Sequence, residues 1–240
     1  MNVKFVLDTH CHTVSSGHAY STAKELIEQA KAIGLELIAI TDHAPMMPGS
    51  THPFYFSNLS VIPSEISGVE VLKGVEVNIL NTQGEIDLEE SLLERLDIVI
   101  ASFHPPCYEM GSKEKNTYAL IETMKNPYVN IIGHPDDSRF PLDYEAIVKA
   151  AKKYGVLLEV NNSSLRPGHF RSEGSRENIT QYLSYCKKYE VPITVGSDAH
   201  FYLDVGNLQR AHHLLMEVGM PEELIVNTSV DLLKKFLKRK

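Results

Sequence analysis

The sequence predicts an α/β protein, a distorted (β/α)7 TIM-like barrel built as a single domain over residues 1–240. Three observations lead there. Short apolar runs alternate with amphipathic helical patterns along the chain, the mark of parallel strands joined by crossover helices. The runs that read as strands number seven. Histidines and carboxylates recur just after those runs, and a barrel gathers its active site at the carboxyl ends of its strands. The length of 240 residues suits one barrel, since α/β barrels run ~200 residues and up.

The first strand is read over Lys4 to Thr9, an apolar run that ends in His10-Cys11-His12. A helix follows from about Ala23 to Ile33. Thr22 and Glu25 form a capping box, Leu26, Ile27, Ala30 and Ile33 share one face, and Gly34 stops it. The second strand runs Glu36 to Thr41. The stretch from Pro45 to Pro63, rich in Pro, Ser and aromatics, is expected to be a long loop or lid with one helical turn. The third strand covers Val69 to Val77, a helix Leu88 to Arg95, and the fourth strand Asp97 to Ser102. Three helix–strand pairs come next: Lys113 to Met124 with Val129 to Gly133, Tyr144 to Tyr154 with Val156 to Val160, and Ser175 to Tyr189 with Pro192 to Gly196. Helices over Val205 to Val218 and Val230 to Lys238 complete the pattern.

Hydrophobic residues at 43% and charged residues at 22% fit a soluble globular protein with a sizeable core. A net charge of −8 argues against general affinity for nucleic acid or a membrane surface. No apolar run approaches the ~18 residues of a membrane span, and the apolar stretch near Met1 is too short for a signal-peptide core. Cys11, Cys107 and Cys186 are odd in number and form no CxxC pair, so the expected setting is a reducing cytoplasm without disulfides.

Residues i and i+2 of a strand share a face. His10 and His12 therefore project together, as do Asp198 and His200, while Cys11 faces away as a small buried residue. His18 comes shortly after the first cluster, His43 follows the second strand, Glu76 lies on the third, His104 follows the fourth and His134 the fifth. Imidazole and carboxylate donors suit zinc, manganese or iron. A lone histidine is usually a packing or surface residue; recurrence at equivalent places singles these out. His212 and His213 fall within a helix and are read as ordinary. His169, in the polar loop Arg166 to Ser175, is left open; His52, in the lid, is a candidate to touch substrate; Cys107 is read as filler. The basic cluster Lys234 to Lys240 suits the end of a helix dipole.

Taken together, these residues resemble the PHP (polymerase and histidinol phosphatase) superfamily, most nearly its small YcdX-type phosphatases, over nearly the whole chain. The resemblance rests on Asp8-Thr9-His10-Cys11-His12-Thr13, Ile40-Thr41-Asp42-His43, Gly74-Val75-Glu76-Val77-Asn78, Ser102-Phe103-His104, Ile132-Gly133-His134-Pro135 and Gly196-Ser197-Asp198-Ala199-His200. Leu158-Glu159-Val160-Asn161-Asn162-Ser163-Ser164 adds a stretch similar to the YcdX type. What the resemblance implies is a seven-stranded barrel with three divalent metal ions. The first would bind His10, His12, Glu76 and Asp198, the second Glu76, His104 and His134, and the third His18, His43 and His200. Zinc is the usual assignment, with manganese or iron in relatives.

Three such ions with two ligating carboxylates leave a local charge of about +4, enough to attract an anion despite the acidic chain. The expected substrate is a small-molecule phosphate ester, with no membrane or nucleic-acid partner; the oligomeric state stays open, a homo-oligomer included. The expected mechanism is direct attack by a metal-bound hydroxide. Asp42 and Asp136, with Asp137, are candidate proton donors, and Asp42 is equally a candidate to orient a ligand imidazole. Asp8 shares a face with His10 and His12. Arg171 and Arg166 are candidates to clamp phosphate, Arg139 a weaker one. The rival readings are histidinol phosphatase activity, an amidohydrolase-type metal enzyme, a nuclease or proofreading domain, and a non-catalytic metal-binding protein.

Overall fold

Seven parallel strands wrap into a nearly closed barrel in the computed structural model, which describes residues 3–171 and 173–237. With an eighth strand, the flap β3, the strands in chain order are β1 (Leu7–Asp8), β2 (Leu37–Ile40), β3 (Glu65–Ile66), β4 (Val69–Asn78), β5 (Ile98–Ser102), β6 (Ile131–Ile132), β7 (Leu157–Asn161) and β8 (Ile193–Gly196). The order around the sheet is β1-β2-β4-β5-β6-β7-β8, each pair parallel; β3 pairs antiparallel with β4 alone. The helices are α1 (Ala23–Ala32), α2 (Pro53–Asn58), α3 (Glu90–Leu93), α4 (Lys113–Met124), α5 (Tyr144–Tyr154), α6 (Ser175–Tyr189), α7 (Gln209–Glu217) and α8 (Val230–Leu237).

Local chemistry sets the helix ends. The Thr22–Glu25 capping box forms at the start of α1, Asp143 caps α5, and Gly155 ends α5 in the left-handed conformation. Several elements are shorter than expected. β1 and β6 are ladders of two residues each. The helix expected over Leu88 to Arg95 is a single turn, and that expected from Val205 begins at Gln209, after a 3-10 turn over Tyr202–Asp204. The lid carries α2 and leads into β3, a strand that the sequence reading did not include. Lys238 to Lys240 lie outside the described residues.

Strand alternation divides the core. Leu7, Leu37, Ala39, Leu72, Ile98, Ile100, Ile131 and Leu157 point into the barrel and pack on Val226 and Leu233, so α8 plugs the amino end. The alternate residues, such as Val75, Val99, Ala101, Leu158, Val160 and Val195, pack outward beneath the helices. Cys11 lies with Leu26, Ile27 and Ala30 beneath α1, facing outward as expected. The seam between β8 and β1 is bridged in part by a side chain. Asn227 Nδ2 donates to the carbonyls of Leu7 and Val195, and its Oδ1 accepts from Val195 N. Further up, Asp198 N and His12 N bond across the seam to His10 O and Ala199 O. The carboxyl end of the barrel is left to polar residues.

Candidate metal centre

On β4, Leu72, Gly74, Glu76 and Asn78 alternate toward the barrel axis. Glu76 stands fully buried at its carboxyl end. Its two oxygens face different imidazoles. Oε2 lies 3.4 Å from His10 Nε2, 3.5 Å from His12 Nε2 and 2.8 Å from His43 Nδ1. Oε1 lies 3.3 Å from His104 Nε2 and 3.0 Å from His134 Nε2. Asp198 Oδ1 is 3.3 Å from His12 Nε2 and 3.8 Å from His10 Nε2. The His18 ring lies 4.9 Å from those of His43 and His200, at the more exposed end. The expected ligands thus converge from the ends of β1, β2, β4, β5, β6 and β8.

A metal is tested by what these atoms lack. His10 Nε2, His12 Nε2, His43 Nδ1, Glu76 Oε2 and His104 Nε2 are buried without a hydrogen-bond partner among the described residues. Such orphans are costly unless something ligates them. Three groups, His10/His12/Glu76, His43/Glu76/His104 and His12/His43/His200, each bring their donor atoms within 4.8 Å of one another. The donor set of imidazoles and carboxylates fits zinc, manganese or iron. His43 belongs to two of these groups, with His200 on one side and Glu76 on the other.

Four of the opposite ring nitrogens are held, whereas His134 Nδ1 is buried without a hydrogen-bond partner among the described residues. His10 Nδ1 donates to Glu159 Oε1 at 2.7 Å, His104 Nδ1 to Asn78 Oδ1 at 2.7 Å, and His200 Nδ1 to the Asp198 carbonyl at 3.0 Å. His12 Nδ1 donates at 3.0 Å to Ser16 Oγ, which donates to Asp42 Oδ1. Each bond places the proton on Nδ1 and leaves the Nε2 lone pair for an ion, as metal-binding histidines require. The charges differ from ring to ring: burial and the neighbouring His43 and His200 push His12 well below the usual imidazole range and His18 down to about 4, and burial lowers His104, whereas for His10 burial is outweighed by Glu159, Glu76 and Asp198, which hold it well above that range. Burial opposes ionisation of Glu76, yet His10, His104 and His43 hold it well below the usual carboxylate range.

Two expected ligands sit on strained backbone, His134 at φ +28° and Asp198 at φ +55°. Asp198 is further gripped by Arg171, whose guanidinium bonds its Oδ2 and whose Nε donates to Ser164 Oγ. At Gly196 a Cβ would strike Glu159 Oε1 and crowd His10 Cβ, so only glycine leaves room there.

A cavity of about 510 Å³ opens over the centre. His18, His43, Glu76, His104, His134, Asp198 and His200 line it, with Arg171, Arg166, Arg139 and His169 on one wall and Met47, Pro105 and Pro106 among the apolar groups. Asp42 and Asp136 are not among its lining residues. Asp42 accepts from Thr13 N, Thr13 Oγ1, Ser16 Oγ and Tyr55 Oη, so it is committed to orienting neighbours. Asp136 is buried, both its oxygens lack a hydrogen-bond partner among the described residues, and burial pushes it up to about 7 against the opposing charge of Arg171. Asp137 is clamped by Arg139 through Nε and a terminal nitrogen. Asp8 accepts from His10 N, Ser197 N and Gly206 N. His52 caps α2, its Nδ1 accepting from Phe54 N. Cys107 donates to the Met46 carbonyl, and His212 bonds the Val3 carbonyl far from the centre.

Sequence reasoning gave no role to Glu159, Asn161, Asn78 or Ser16. One signal was available: Leu157, Glu159 and Asn161 alternate on a strand whose other residues are apolar, so an acid and an amide had to face the barrel interior.

The chain matches the PHP domain model over residues 8–163 and the PHP-associated model over residues 179–209. It is 50% identical over 241 residues to a probable phosphatase of Caldanaerobacter subterraneus subsp. tengcongensis, covering 100% of this chain and 94% of that one. It is 48% identical over 238 residues to a probable phosphatase of Acetivibrio thermocellus, covering 99% and 97%. The fold is similar to that of histidinol phosphate phosphatase from Lactococcus lactis, complexed with zinc, L-histidinol and phosphate, with a TM-score of 0.64, 21% identity and 90% and 94% of the two chains covered. With the family model spanning most of the barrel and relatives of this identity spanning nearly all of it, the chain belongs to the PHP domain family.

Proposed function

We propose that this protein is a metal-dependent phosphatase that hydrolyses small phosphate monoesters at a centre of three divalent ions, zinc in the first instance. The observation that carries the reading is Glu76, whose two oxygens face separate sets of imidazoles. On this reading His10, His12, Glu76 and Asp198 hold one ion, Glu76, His104 and His134 a second, and His18, His43 and His200 a third. The curated relatives named as probable phosphatases support the reaction class, and the zinc and phosphate bound by the Lactococcus lactis enzyme support the cofactor and the kind of substrate.

Divalent ions in this setting acidify water from a pKa of ~15.7 toward ~7 and neutralise phosphoryl charge. The protein supplies the rest. Arg171 lines the cavity while bonding Asp198, so it orients a ligand and presents positive charge to a phosphate at once. Arg166 and His169 line the same cavity. Asp42 acts through Ser16 on His12 and holds that ring in its ligating tautomer. Asp136, behind the cavity wall, adds to the field that Asp198 exerts on Arg171.

The test pairs a metal count on protein purified without added metal with hydrolysis assays on the same sample. The panel is p-nitrophenyl phosphate, histidinol phosphate, a carboxylic ester and an amide. Near three ions per chain, and phosphate-ester turnover lost to a chelator and restored by zinc, are expected. Turnover of the amide alone, or of phosphate esters untouched by chelation, overturns the reading.

A further inference from the structure

We propose that Glu159 is a positioning residue that assembles the metal centre without touching an ion; the inference rests on the metal-centre reading above. Its carboxylate is fully buried on the inner face of β7. Oε1 accepts the Nδ1–H of His10 at 2.7 Å. Oε2 accepts the backbone N–H of His134 at 2.8 Å and Asn161 Nδ2–H at 3.1 Å. The same Asn161 nitrogen reaches Asp198 Oδ2 at 3.3 Å. One strand thereby holds candidate ligands from the ends of three others, β1, β6 and β8.

Each contact fixes a different variable. The bond to His10 sets its tautomer and makes the imidazole a stronger donor, with its partnerless Nε2 aimed at Glu76. The bond to His134 N holds a backbone at φ +28°, a region that residues with side chains rarely adopt. The bond through Asn161 orients the Asp198 carboxylate. Glu159 is itself fixed by Tyr182, whose hydroxyl donates to the Glu159 carbonyl at 2.7 Å, and by the space that Gly196 leaves.

All three partners of this carboxylate are donors, so the position calls for two acceptor oxygens. A glutamine of nearly the same shape turns an NH2 group against either His10 or His134. An aspartate keeps both acceptors but withdraws them by one methylene. The full chain and its Glu159→Gln and Glu159→Asp variants are stripped of metal, titrated with zinc against a chromophoric chelator, and loaded with cobalt(II) for its visible absorption. In Glu159→Gln the tightest zinc is expected to bind about 10–100-fold more weakly. The cobalt bands should shift, and at saturating zinc kcat for p-nitrophenyl phosphate should fall while KM holds. Glu159→Asp should recover part of the affinity. Thermal melts of the metal-free proteins report the scaffold separately.

Unchanged zinc affinity and cobalt spectrum in Glu159→Gln, with only a lower melting temperature, overturn the proposal. If the glutamine variant does not fold, the aspartate variant decides by the same two readouts. The titrations involve no substrate. A parent chain that binds zinc but hydrolyses no phosphate ester therefore sinks the phosphatase reading and leaves Glu159 to be judged by its variants. A parent chain that binds no zinc or cobalt overturns both.

Discussion

Asp198 shows how tightly single residues are committed. Its Oδ1 faces His10 and His12, its Oδ2 meets Arg171 and Asn161, and its backbone carbonyl accepts from His200. Alanine there strands a buried guanidinium, and breaking a buried pair costs ~3–5 kcal/mol. Asp198→Asn keeps the volume and a neutral acceptor. It is expected to lose at least ~100-fold in turnover, beyond the effect of outer partners, while circular dichroism shows the fold intact. His212→Ala, which removes a bond to the Val3 carbonyl and an edge contact with Phe5, should cost ~1 kcal/mol in denaturant unfolding and leave turnover unchanged. The meeting of the candidate ligands was legible because they recur at strand ends, which a barrel gathers at one mouth. Their supports were not, because Ser16, Asn78 and Glu159 are ordinary residues whose roles depend on partners distant in sequence. Arg171 was legible as a cation near the site, but its bond to Asp198 depends on how the loop after β7 folds back.

At the scale of elements, alternation and capping carried most of the architecture. Strand existence followed from apolar runs, whereas strand length did not. β1 and β6 keep only two paired residues although their apolar runs are longer. The flap β3 escaped notice because Glu65–Ile66 has too few residues for a period to register. Asn227 was likewise silent: nothing in Val226-Asn227-Thr228 marks an amide that stands between two strands. Its removal is costly, since Val195 N and the Leu7 carbonyl lose buried partners. Asn227→Ala is expected to lower unfolding free energy by ~2–6 kcal/mol, at ~1–3 kcal/mol for each of the two unsatisfied groups. Urea denaturation measures this. Zinc stoichiometry of the folded variant should be unchanged, because the amide lies at the lower part of the seam.

For the whole molecule, the acidic balance does not exclude the proposed phosphate-ester substrate. The net charge of −8 is spread over the chain and is screened beyond ~8–10 Å, while the cavity is lined by Arg139, Arg166 and Arg171 beside Glu76, Asp198 and Asp204. Among the described residues no helix is long and apolar enough to cross a membrane. Ions that bind only the folded chain must stabilise it, and occupancy at one hundred times Kd adds ~2.7 kcal/mol per site. Treatment with a chelator should therefore lower the melting temperature by several degrees, and zinc should restore it. A melting temperature indifferent to both would show that folding and ion binding are uncoupled.

The seam between the first and last strands has a consequence for biogenesis. Asp8 and Ser197 meet there although 189 positions separate them, and the candidate ligands on either side are as remote from each other. A ribosome must release most of the polypeptide before its earliest histidines find their counterparts. Until then those histidines lack the partners that the fold gives them, so the proposed centre can form only after most of the chain has emerged.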